Sequence, residues 1–247
     1  MECRMLRENC DEWTALLSGK LAPGEICLTF DDGPGDPEPK GKTLAIAEFL
    51  ADEAIKATFF VVGQRIERPA GGEALAKLRQ LGHLIGNHTL THPDLTELVK
   101  DGDERVVEEV VQTHELIRDF IPDGPPVFRP PFGAWNQAAC KAVNSAKEME
   151  HYIGPITWDV ICFDWDLGKQ RDGTVWTISH CQGYLISQLR MLKKGIVLLH
   201  DGSSERIQTD AHSRREQQVY ELTKWLIGWL QRENYKFVGL EDLLAAK

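Results

Sequence analysis

Short apolar runs alternate with longer amphipathic stretches along this chain, and the two periodicities predict its elements. Residues 25–30 (Glu-Ile-Cys-Leu-Thr-Phe), 56–62 (Lys-Ala-Thr-Phe-Phe-Val-Val) and 195–200 (Gly-Ile-Val-Leu-Leu-His) are nearly continuous apolar or β-branched runs, the pattern of buried strands. Shorter runs at 83–86, 127–129 and 236–238 read as brief strands, and 152–156 and 158–163 as further apolar stretches. Between them, apolar side chains recur at helical spacing. Leu44, Ala47 and Leu50 share a face within 43–54, Val106, Val107, Val110, Val111, Ile117 and Phe120 within 104–120, and Val219, Leu222, Leu226 and Leu230 within 216–233. Helices are also expected at 72–81, 136–146 and 174–193, with a leading helix over 1–22 (Trp13, Leu16, Leu17) and a short helical tail.

Such alternation predicts an α/β fold with parallel strands. Reactive residues stand at several strand ends, and no Gly-rich dinucleotide fingerprint is present, which favours a (β/α) barrel over an open Rossmann sheet. The 247 residues contain no internal repeat, linker or composition break, so 1–247 is read as a single domain.

The formal net charge of −10 argues against nucleic acid or an anionic membrane surface as the main partner and suits a neutral substrate. No stretch is long enough to span a membrane, and residues 1–10 do not read as a signal peptide. The chain is therefore expected either inside the cell or as an exported protein whose signal lies outside this sequence. Six cysteines, at 3, 10, 27, 140, 162 and 181, show no metal-binding spacing. Cys27 and Cys162 sit in apolar runs as small hydrophobes, and Cys3 and Cys10 are candidates to pair.

The first strand runs into Asp31-Asp32-Gly33-Pro34. Two acids at the carboxyl end of a parallel strand stand where active-site loops emerge, and neighbours on an extended backbone point to opposite faces, so each can hold its own task. His88 and His92 follow the strand at 83–86, four apart, a spacing that on a helical turn lets both bind one metal. With one carboxylate of Asp31 or Asp32 they form a three-ligand set that leaves a coordination position open, as catalytic sites do. Arg129, in Phe-Arg-Pro-Pro-Phe-Gly (128–133), offers a fixed fork of donors suited to holding a carboxylate ionised. Residues 158–165 (Trp-Asp-Val-Ile-Cys-Phe-Asp-Trp) mix acids with indoles, and His200 ends the last strong strand where a general acid would sit. His83, His114, His151, His180 and His212 lack motif context, and Arg214-Arg215 and Lys193-Lys194 read as solvated helix ends.

Residues 29–34, 88–92, 129–133, Asp164-Trp165 and 198–200 together resemble the five ordered motifs of the polysaccharide deacetylase family, carbohydrate esterase family 4. The resemblance implies a distorted (β/α) barrel of seven strands. It assigns Asp31 as general base and Asp32, His88 and His92 as ligands of Zn2+, with Co2+, Ni2+ or Mn2+ as substitutes. It has Arg129 orient Asp31, the Phe132 backbone N–H share the oxyanion, and Asp164 tune His200 as general acid. Trp165 would line the groove and Leu198 would pack on the acetyl methyl. The implied reaction is hydrolysis of N-acetyl groups on N-acetylglucosamine-containing glycans such as chitin oligomers or peptidoglycan, with acetate released. The alternatives are a formyl amide of a lipid-linked sugar, O-acetyl groups of xylan, or a silent carbohydrate-binding module. One position departs from the pattern: the acid usual three residues before the Asp-Trp pair is Ile161, with Asp159 two residues earlier.

Overall fold

The computed structural model describes residue 10 and residues 18–36, 41–68, 70–121, 124–203 and 210–245. The helix expected over 1–22 lies outside the described residues, apart from its end, where Ser18–Lys20 form one 3-10 turn. The elements then run β1 (Glu25–Gly33), α1 (Thr43–Asp52), β2 (Ala57–Val61), α2 (Gly63–Ile66), α3 (Gly71–Gln80), β3 (Leu84–Asn87), α4 (Leu95–Leu98), α5 (Asp103–Ile117) and α6 (Gln137–Ser145). After them come β4 (Val160–Ile161), β5 (Gln170–Arg171), β6 (Thr174–Val175), α7 (Ile178–Leu192), β7 (Gly195–His200), α8 (Asp210–Arg232), β8 (Lys236–Phe237) and α9 (Leu240–Ala245).

The expected α/β class is observed. A parallel sheet has the order β3-β2-β1-β7-β4, and β8 pairs with the first two residues of β1. Two isolated parallel bridges, Asn87 to Phe128 and Val127 to Ile153, continue the pairing beyond β3. Side-chain alternation divides the strands between two environments. Ile26, Leu28 and Phe30 of β1, Phe59 of β2, Ile85 of β3 and Val197 and Leu199 of β7 join the core that α1, α3, α7 and α8 cover. Phe30 and Phe59 stack there, with ring centroids 5.1 Å apart. The opposite face carries Cys27, Phe60, Leu84 and Ile196, closed off by Leu21, Leu240 and Leu243. That face therefore begins apolar and ends in the reactive groups Asp31, His88 and His200, each four residues after Cys27, Leu84 and Ile196.

Several expected boundaries move, each for a local reason. β1 runs on through Asp31, Asp32 and Gly33 instead of stopping at Phe30. The helix expected from 174 starts at Ile178, because Thr174–Val175 pair antiparallel with Gln170–Arg171. Thr177 then caps α7 in a box with His180, whose Nδ1 accepts the Thr177 N–H at 3.1 Å. α8 begins six residues before the expected start at 216. His83 is structural: its Nδ1 accepts the Ala57 N–H and its Nε2 bonds the Ala47 carbonyl, tying β2 to α1. Among the described residues, no helix is long and apolar enough to cross a membrane.

Cys27 and Cys162 are buried free thiols, as their apolar runs suggest, and burial pushes the Cys27 thiol up to about 12. The pairing of Cys3 with Cys10 does not hold. Cys10 forms a disulfide with Cys140 on α6, 130 residues away. Sequence proximity favours local partners, but a disulfide needs two Cβ atoms facing at short range, which only the fold supplies. Peptide mapping without reduction should recover a Cys10–Cys140 linked pair, with Cys27, Cys162 and Cys181 alkylated only after denaturation; a Cys3–Cys10 peptide would contradict the structure.

Candidate active site

The register of β1 shifts against β2 between Asp31 and Gly33, so Asp32 is the extra residue of a β-bulge, with φ 74°. The bulge changes the expected geometry. Consecutive side chains of an undistorted strand would face opposite ways, yet Asp31 and Asp32 both line one cavity. His88 Nε2 lies 3.6 Å from Asp31 Oδ2 and 3.6 Å from Asp32 Oδ1. Gly33 and Gly202 make the bulge possible, since a Cβ on Gly33 would meet the Asp201 carboxylate and one on Gly202 the Asp32 carbonyl.

His88 and His92 do not sit on a helical turn. They belong to an irregular loop after β3 in which Thr89 (φ 68°) and His92 (φ 65°) are both left-handed. For a β-branched threonine that conformation costs on the order of 1–3 kcal/mol. Asn87 holds it, accepting the Thr89 N–H at 2.9 Å while donating to the Val110 carbonyl at 2.8 Å. The His92 N–H donates to Thr89 Oγ1 at 3.2 Å, and Asp94 caps α4 directly afterwards.

One ligand atom each from Asp32, His88 and His92 lies within 4.8 Å of the others. His88 Nδ1 is 2.7 Å from the Arg129 carbonyl, which can only accept, so the proton is on Nδ1 and the Nε2 lone pair faces the acids. Burial pushes the His88 pKa down to about 4, against the opposing pull of Asp31, so the ring is neutral at neutral pH. Burial acts to raise the Asp32 pKa, but the electrostatic pull of His92 leads the effects that outweigh it, and the carboxyl falls well below the usual range. Asp32 Oδ1 is buried with no well-directed hydrogen bond, although His92 Nε2 is 3.1 Å away. A buried carboxylate oxygen facing two imidazole nitrogens is the donor set of a divalent cation, and the residues fit one.

Arg129 is wholly buried behind the acids. Its Nη1 donates to Asp31 Oδ1 at 2.6 Å and to Thr29 Oγ1 at 2.9 Å, and Nε and Nη2 donate to the carbonyls of Ile156 and Thr157. The guanidinium also lies 4.2 Å above the Phe60 ring. On the other side, His200 Nδ1 bonds Asp164 Oδ1 at 2.9 Å, and the His200 N–H donates to Asp164 Oδ2 at 2.7 Å. Burial opposes charge on His200, but the Asp164 carboxylate prevails and raises its pKa to about 9. β1 and β7 are paired so that Asp31 and His200 stand side by side.

The cavity holding these groups measures about 320 Å3. Phe132, Trp165 and Leu198 also line it. Phe132 is 69% exposed in a left-handed conformation (φ 56°), with its ring 4.6 Å from that of His92. Trp165 packs edge-on against His200 at 5.0 Å. Arg129 and Asp164 are absent from the lining and act from behind. Ile161 is shared with a neighbouring cavity bearing Phe163, His180 and Tyr184. Asp159 does not stand in for the acid absent at Ile161, because its Oδ2 accepts the Ile196 N–H at 2.8 Å. Lys169, Ser203 and Arg215 line the cavity without any motif to announce them. Arg215 is no solvated helix end: it is 7% exposed, and the heptad-like spacing of Val219, Leu222 and Leu226 already points back to positions 215 and 212.

Comparison with known proteins agrees with this geometry. The sequence model of a family described as Polysaccharide deacetylase matches residues 18–150. A chitooligosaccharide deacetylase of Bradyrhizobium sp. is 33% identical over 223 residues, covering 88% of this chain and 90% of that protein. A peptidoglycan-N-acetylglucosamine deacetylase of Bacillus cereus is 30% identical over 223 residues, covering 90% of this chain and 89% of that protein. Among solved structures, a chitin deacetylase from Colletotrichum lindemuthianum superposes with a TM-score of 0.68 at 26% identity, covering 91% of this chain and 89% of that one.

In protein stripped of divalent metal, the His200 imidazole should titrate near 9 by NMR, and Asp164→Asn should bring it down toward the ordinary value of 6.5. Because the folded value is raised, the pair stabilises the fold fully below 6.5, and its contribution is lost as pH rises through about 9. An unchanged titration in the variant would remove Asp164 as the cause.

Proposed function

Because the chain belongs to the polysaccharide deacetylase family, we propose that it is a zinc-dependent hydrolase that removes N-acetyl groups from N-acetylglucosamine-containing glycans, chitin oligomers or peptidoglycan, and releases acetate. The observation that carries this reading is the joining, in one cavity, of an Asp-His-His donor set, a second carboxylate held by a buried arginine, and a histidine whose pKa is raised. A silent binding module would be expected to lack one of these groups.

Asp32, His88 and His92 would hold the metal, which when bound supplies Lewis acidity to the amide carbonyl and to the attacking water. The donor set suits Zn2+, with Co2+, Ni2+ and Mn2+ as competitors. Asp31 takes the proton of the attacking water on Oδ2, since Arg129 occupies Oδ1. The Phe132 N–H donates to the developing oxyanion. His200, held charged by Asp164, gives its Nε2 proton to the leaving nitrogen, because an amine anion leaves too poorly unaided. Leu198 receives the acetyl methyl, and Trp165 fixes the face of His200 and one wall of the groove. The same reading takes 1–247 as one domain and the sheet as a distorted seven-stranded barrel. Support for the barrel comes from the five main strands together with the bridged segments at Phe128 and Ile153.

Acetate release from chitin oligomers and from peptidoglycan fragments, with chelator and re-added zinc, tests the reading. Chelator-sensitive release from one of them is expected. Stoichiometric zinc without release from either would redirect the site to a formyl or O-acetyl substrate. Asp31→Asn should lower turnover at least about 100-fold while zinc is retained, whereas His88→Ala or His92→Ala should lose zinc by elemental analysis. Zinc lost from Asp31→Asn, or retained in both histidine variants, would reverse the assigned roles.

A further inference from the structure

Beyond the catalytic groups, the cleft continues. Lys169 and Arg215 line both the catalytic cavity and a second one of about 470 Å3, so the two spaces meet across these side chains. The second cavity also bears Arg214, His212 and the amides of Gln217 and Gln218, and no carboxylate among the described residues.

Arg215 differs from the other buried cations. Arg129 has Asp31 at 2.6 Å, and Arg65 has Asp36 at 3.8 Å. Arg215 is also buried, though less deeply, yet among the described residues neither it nor Lys169 has a carboxylate within ion-pair distance. Its Nη2 donates to the Gly202 carbonyl at 2.8 Å, which fixes the guanidinium, while Nε is buried with no hydrogen-bond partner among the described residues. A desolvated guanidinium without a counter-ion is unfavourable, and a bound anion would offset the cost. The neighbouring Asp166 does not serve, because Arg171 holds it at 2.6 Å. The chain carries a net charge of −10, so this positive end is a local feature set against the overall charge.

We propose that Lys169 and Arg215 form an anion-recognising extension of the cleft, which selects glycans bearing a carboxylate on a sugar adjoining the one that is deacetylated. The assignment deepens the functional reading above and rests on it for the position of the reacting sugar. A planar guanidinium fork held at one edge matches a carboxylate in orientation as well as charge, and Lys169 adds an unoriented positive charge at the mouth. A neutral glycan would leave both cations unmatched.

The test separates recognition from chemistry. Binding is measured by calorimetry to zinc-loaded full-length Asp31→Asn, and acetate release to the zinc-loaded wild type. The probes are a neutral chitin tetrasaccharide, a peptide-free tetrasaccharide of alternating N-acetylglucosamine and N-acetylmuramic acid, the same compound with its carboxylates amidated, and a glucuronate–N-acetylglucosamine tetrasaccharide. The free carboxylate should tighten binding roughly tenfold over its amide. Lys169→Gln and Arg215→Lys, the latter keeping charge but losing the fork, should each bring the KM ratio of the amidated to the free carboxylate compound close to one. Preference for the muramic or the glucuronate compound tells a lactyl ether from a uronate as the source of the anion. Equal binding of the free and amidated forms, or a preference that survives both substitutions, overturns the proposal. Carboxylate-dependent binding without acetate release from any probe would uphold the subsite and refute the deacetylase reading instead.

Discussion

Arg129 is the side chain on which the site depends, because it governs two groups of different function at once. Its guanidinium anchors Asp31 and Thr29 at the end of β1, and its own carbonyl receives the His88 Nδ1 proton. One residue thus orients both a carboxylate and an imidazole, the latter with its lone pair turned inward. A wholly buried guanidinium is tolerable only if its donors are used. Here Nη1 serves Asp31 and Thr29, while Nε and Nη2 serve the carbonyls at 156 and 157. Loss of Arg129 would leave Asp31 buried beside Asp32 without its guanidinium counter-charge, so the pair of acids and the arginine are a single structural unit.

The second constraint is geometric. A parallel sheet delivers its strand ends to one edge, but it points successive side chains apart. The bulge at Asp32 resolves this and lets two consecutive acids face one cavity. Its close packing against the Asp201–Gly202 turn needs a glycine on each side. The loop carrying His88 and His92 meets the same difficulty in another way, with two left-handed residues and an asparagine clamp instead of a helix. In both places local backbone strain is held by hydrogen bonds and burial and serves to aim a ligand.

This explains what the sequence made legible. Strand cores were readable because buried strands need continuous apolar runs. The reactive residues were readable because acids, histidines and an arginine at strand ends have few structural reasons to be there, and the seven of these singled out lie at or directly behind one cavity. The means of placement were not readable. Alternation along β1 separates Asp31 from Asp32, and the four-residue spacing suggests a helix; both inferences fail at positive φ. The Cys10–Cys140 link joins points 130 residues apart and has no local signature. Arg215 stands in an arginine pair of the kind common on surfaces, although it continues the buried stripe of α8.

Electrostatic division of labour follows from these placements. His88 and His200 are the same residue type, both largely buried, and burial acts on both to lower the pKa. They part because of what each meets. His88 donates its Nδ1–H hydrogen bond to a neutral carbonyl and stands among groups that also include His92, so desolvation prevails and the pKa falls to about 4. His200 meets Asp164, which takes hydrogen bonds from both its ring and its backbone, so the carboxylate prevails and the pKa rises to about 9. One ring is thereby kept as a lone-pair donor and the other as a proton donor across the same pH range, within a cavity of about 320 Å3. Holding two imidazoles of one cavity in opposite protonation states requires neighbours that push like groups apart, and here that is done by one carbonyl and one carboxylate behind the lining.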